Sequence, residues 1–152
     1  MQPEESAKPK ALVSACLLGR ECRYDGRHSA NPALEEELRE RGLEALPFCP
    51  EEHGGLSTPR PAAWIEEHSA AAVVDGSARM VTESGRDVTA QFLDGARGAL
   101  EACRAAGARI AFLKERSPSC GVCQTHVAGK LVDGHGVTAE VLVQGGIDVR
   151  GI

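Results

Sequence analysis

A chain of 152 residues is enough for one ordinary domain, and its hydrophobic (42%) and charged (26%) fractions are those of a globular protein rather than a disordered one. No apolar stretch approaches the length of a membrane span, and a net charge of −5 disfavours a long phosphate backbone as partner, tRNA included. With one Trp, one Tyr and three Phe, the core has to be built from Ala, Val, Leu and Ile.

The opening MQPEESAKPK is polar, lacks the apolar centre of a signal peptide, and reads as a disordered lead over residues 1–10. Residues 11–152 are then a single domain, expected in the cytosol. ALVSACLLG, from Ala11 to Gly19, is an apolar run ending in Gly and predicts a buried strand that enters a loop. A helix follows, with Asn31 as N-cap, Pro32 at its first position, Leu34 and Leu38 one turn apart, and Gly42 as its stop. ALPFC, from Ala45 to Cys49, predicts a second strand ended by Pro50. The Gly/Pro-rich GGLSTPRPAAWIEE begins as a loop, and AAAVV and ARMV around Asp75-Gly76 predict a hairpin. Asp87 opens a long helix whose stripe is Val88, Phe92, Ala96, Ala99 and Cys103, and Gly107 closes it. RIAFLK, from Arg109 to Lys114, is a third strand leading into ERSPSCG. A small hairpin around VAGKLVDG, a helix across GVTAEVLVQ and a last strand IDVR complete the chain. Strand–helix alternation of this kind predicts an α/β fold, a single-domain sandwich with a mostly parallel sheet.

Six cysteines in a chain without a secretory signal point to metal binding or reactivity rather than disulfides. Cys16, Cys49 and Cys120 each fall at or just beyond the carboxyl end of a predicted strand, and in an open parallel sheet those ends face one crevice. Three thiols converging there suit zinc or an iron–sulfur cluster, while three small buried hydrophobes are the plainer reading. Cys103 belongs to the apolar stripe of its helix. Cys22 lies close enough to Cys16 to reach the same crevice. Cys123 makes a C-x-x-C with Cys120, and His126 follows, so a zinc site or a thiol redox pair stays open.

The chain resembles the thiouracil desulfidase family through VSACLLG-x-x-CRYDG, CPE followed by GGL-x-x-PR, GRDVT-x-x-F-x-x-GA, LK-x-x-SPSCG and DG-x-GVTAEVL. The likeness extends from about Val13 to Val149, and the order of the motifs is more specific than any one of them. It implies a Rossmann-like fold and a 4Fe–4S cluster held by Cys16, Cys49 and Cys120, with a catalytic carboxylate at Glu51 and a catalytic hydroxyl at Ser117. The substrate so implied is a thiolated pyrimidine, as base, nucleoside or nucleotide. The chain departs from the family pattern at Cys123 and His126 and in PRPAAWIE, positions that bear on substrate choice.

Three protein ligands would leave one iron of a cubane open, the layout of a catalytic rather than a structural site. Glu51 is then a base for water, with Glu52 as its adjacent competitor; without the resemblance, a local hydrogen bond is the better explanation of Glu51. Ser117 before Pro118 is a proton donor or only a turn residue. Tyr24, Arg60 and Ser119 are candidate substrate contacts, Tyr24 by stacking and Arg60 through an oxygen or phosphate.

Overall fold

The computed structural model describes residues 8–152. The lead expected over residues 1–10 therefore falls largely outside the described residues, and Lys10 already belongs to the first strand. That strand, β1 (Lys10–Ser14), has Ala11, Leu12 and Val13 wholly buried, as a central parallel strand requires. It lies between β2 (Glu44–Phe48) and β5 (Ile110–Leu113), and β8 (Asp148–Gly151) completes a four-stranded parallel sheet in the order β2-β1-β5-β8. Pro47, which has no N–H to donate, sits on the edge strand β2.

Local signals account for the helices. In α1 (Pro32–Arg41) the Asn31 side chain accepts from Leu34 N, and Gly42 takes the left-handed cap conformation at φ 70°. α2 (Pro50–His53) is one turn following Cys49. In α4 (Thr89–Ala106), Phe92, Ala96, Ala99 and Cys103 form the predicted buried stripe. Val88 occupies the cap position there, while the Asp87 carboxylate accepts from Thr89 N. α5 (Val137–Gln144) is the last helix.

The predicted hairpin around Asp75-Gly76 does not form. Residues Ala70–Asp75 are a helix, α3, because three successive Ala favour it, Ser69 Oγ accepts from Ala72 N, and Gly76 is its left-handed cap. The following strand β4 (Met80–Thr82) pairs instead with β3 (Ala63–Ile65). With β6 (Gln124–Val127) and β7 (Lys130–Asp133) they make a second, mixed sheet in the order β4-β3-β6-β7, of which only the β6–β7 hairpin was expected. α4 contacts both β1 and β4, joining the two sheets into one α/β domain.

The packing of α2 on α4 fixes the site. A Cβ on Gly54 would stand 2.0 Å from Gln91 O, and one on Gly98 would meet the His53 ring at 2.4 Å. The two helices approach backbone to backbone, which only glycine allows.

Candidate active site

Three thiols stand over adjacent strand ends. Cys16 lies in the single 3-10 turn Ala15–Leu18 directly after β1, Cys49 follows β2, and Cys120 lies in the loop after β5. Because β2, β1 and β5 are neighbours in the sheet, all three thiols border one cavity of about 880 Å³. Trp64 of β3 and Arg86, in the loop between β4 and α4, border the same cavity. Among the described residues no three His, Cys, Asp or Glu side chains form a group sized for one metal ion.

Burial pushes the thiol of Cys16 up, with Lys114 opposing part of the rise, and pushes Cys120 up to about 12. Cys49 is brought down to about 7 by a hydrogen bond with the Cys22 thiol, by the backbone of Glu52 and by Arg60, against its own burial. Cys22 is raised in turn; it is 3% exposed and borders the same cavity, so a fourth thiol belongs to the site. Cys103 is fully buried in the core, as its stripe predicts. Cys123 is exposed and lies apart from the cavity; the adjacent Glu115 carboxylate raises its thiol.

Of the two adjacent carboxylates, Glu51 borders the cavity and Glu52 does not. Glu52 is engaged elsewhere, by Arg20 Nη2 at 3.0 Å and Thr58 Oγ1 at 2.5 Å. Glu51 Oε1 accepts from Arg60 Nε at 2.7 Å and lies 2.6 Å from Nη2, while Oε2 takes no hydrogen bond from the described residues. Burial raises the Glu51 carboxyl above its ordinary range, and the Arg60 charge offsets part of that.

The hydroxyl of Ser117 also reaches the cavity. Its oxygen accepts from Ser119 N at 3.1 Å and from Cys120 N at 2.9 Å, which occupies both lone pairs. Its own proton is what it has left to offer. The turn reading and the donor reading of Ser117 are thus compatible, the first producing the second. The loop is fastened to α5, whose Val137 and Thr138 N–H groups donate to Pro118 O and Ser119 O.

Two expected substrate contacts are otherwise occupied. Ser119 is 1% exposed, and its hydroxyl is bonded to Thr138 at 2.6 Å, away from the cavity. Arg60 directs its guanidinium donors to Glu51, Ser57 O, Thr58 Oγ1 and Cys22 O. Tyr24 is 47% exposed at the cavity border, where stacking remains open to it. Sequence reading missed Trp64, Arg86, Lys114, Arg116 and the cavity position of His126. Their one signal was that Arg86 and Lys114 stand inside the quoted motifs and that Trp64 and His126 fall at departures from them. Lys114, Arg86 and Arg116 border the cavity with no carboxylate partner in salt-bridge range among the described residues; Lys114 Nζ donates to Glu115 O.

A parallel sheet with thiols, a buried carboxylate and a hydroxyl donor over its carboxyl ends defines an α/β protein built for chemistry at that crevice. The family described as 2-thiouracil desulfurase matches residues 11–151, and the chain belongs to that family. It is 42% identical over 141 residues to the uncharacterized protein YbbK of Bacillus subtilis (strain 168), covering 91% of this chain and 92% of that one. It is also similar to the solved structure of the [4Fe-4S]-dependent thiouracil desulfidase TudS, with 43% identity and a TM-score of 0.78 over 95% of this chain and 91% of the other.

Proposed function

We propose that this chain removes sulfur from a thiolated pyrimidine, using a 4Fe–4S cluster held by Cys16, Cys49 and Cys120. The observation that carries the reading is the meeting of these three thiols with Glu51 and Ser117 at one cavity. The donor set fits such a group: the ligands are soft sulfurs that follow neighbouring strands and border one cavity. When bound, the cluster supplies a thiophilic iron lacking a protein ligand, suited to polarise a thione.

The chain's own residues then complete the reaction. Glu51, through its uncommitted Oε2, takes a proton from the water that attacks the thione carbon. Ser117 donates its hydroxyl hydrogen to the ring nitrogen or to the departing sulfur. Water oxygen replaces sulfur on the ring, hydrosulfide leaves, and no net electron transfer is required. Lys114, Arg86 and Arg116, without carboxylate partners among the described residues, favour an anionic substrate, so that a thiouridine nucleotide suits the cavity better than the free base. Six free cysteines suit work in a reducing cytosol.

The test is anaerobic incubation of reconstituted protein with 2-thiouracil and with thiouridine monophosphates, following thione absorbance and sulfide. Loss of thione with equal release of sulfide is expected. Intact thione in protein carrying a full cluster would exclude the activity.

A further inference from the structure

Arg60 is a largely buried cation at the cavity, with its guanidinium donors held by protein groups. Its side chain is 6% exposed and that of Glu51 is 13%, so both charges are largely withdrawn from bulk water. A buried pair of this kind gains little stability over an apolar replacement, so its use is geometric. Its guanidinium reaches three separate segments. Nε and Nη2 hold Glu51 Oε1 on α2; Nη2 also donates to Cys22 O at 2.9 Å; Nη1 donates to Ser57 O at 3.1 Å and to Thr58 Oγ1 at 2.9 Å. Cys22 O lies 3.8 Å from the Cys49 sulfur, so the same guanidinium spans from the carboxylate to the thiol-bearing loops. Thr58 sorts the two neighbouring carboxylates, since its hydroxyl donates to Glu52 and accepts from Arg60.

We propose that Arg60 is a positioning residue for desulfuration: it anchors Glu51 by Oε1 alone and ties it to the Cys22 carbonyl, so that Oε2 meets the cavity in one orientation. This rests on the reading of Glu51 as the base. A lysine could not reproduce it, because a point charge lacks the planar fork that serves these partners together.

The experiment compares R60A, R60K and E51Q as reconstituted holoenzymes acting on 2-thiouracil, with iron content, kcat and KM measured for each. For R60A the expected result is normal iron, a KM near that of the unaltered protein and a kcat lower by about 100-fold, the scale of a small misplacement of a reacting group. Millimolar guanidinium should restore kcat to R60A but not to E51Q, and R60K should recover little. A raised KM with kcat intact would make Arg60 a substrate contact and overturn the proposal. A loss of kcat that guanidinium leaves untouched would also overturn it. Should R60A not fold, R60Q is measured in its place. Full activity in E51Q would instead remove the base reading itself, whatever the Arg60 variants do.

Discussion

Gly95 and Pro50 touch so closely that a Cβ on Gly95 would stand 2.0 Å from the Pro50 carbonyl oxygen. Pro50 separates Cys49 from Glu51, so this one contact on α4 sets the height of both a thiol and the carboxylate. G95A should therefore cost about 1–3 kcal/mol in stability, as overpacking does, and lower bound iron more than a comparable loss elsewhere in the fold. Denaturant unfolding with iron analysis checks both; unchanged iron in a destabilised G95A would disconnect this packing from the site.

The pH dependence of turnover should report Glu51. Its carboxyl is held above the ordinary range by burial, and it acts as a base only when ionised. Activity should then rise with pH through a midpoint above about 4.3, the value of free Glu, and fall below it. Profiles of kcat/KM measure this, and an acidic limb at or below the free value contradicts the assignment.

Glu115 makes a separate prediction about stability. Burial alone would raise it, but the N–H groups of Cys123, Val122 and Gln124 outweigh that and lower it overall. A depressed carboxyl contributes stability above its unfolded value near 4.3, and loses it as pH falls through the folded one. E115A should cost about 1–3 kcal/mol at neutral pH, with the difference shrinking in acid. Urea unfolding at a series of pH values checks it.

The cations at the cavity predict a preference between substrates. R86A and R116A should raise KM for a thiouridine monophosphate about tenfold, equivalent to about 1.4 kcal/mol, while changing it little for 2-thiouracil. Equal effects on the two would remove the anion-binding role.

Helices α1, α4 and α5 were legible because each carries a stripe or a cap in contiguous sequence, and the three strand-end cysteines followed from the same pattern. The second sheet was mostly not. β3 and β4 are three residues each, too short for any period to show, and β3 finds β6 at a register where Ile65 meets Val127. Asp75-Gly76 has the chemistry of a hairpin turn and of a helix C-cap alike, and the Ala run with Ser69 decided for the helix. At the site, the choice between Glu51 and Glu52 depended on Arg60, Thr58 and Arg20, whose side chains meet those carboxylates only in the folded chain. The occupation of Ser119 by Thr138 is equally a long-range fact.

The most direct measurement of the central claim is iron and acid-labile sulfide in anaerobically reconstituted protein, compared across single Cys→Ser variants. The account predicts about four irons per unaltered chain, as a cubane requires. It predicts loss of cluster iron in C16S, C49S and C120S and its retention in C103S and C123S. Stoichiometric zinc without iron, or full iron in any of the first three variants, would contradict it.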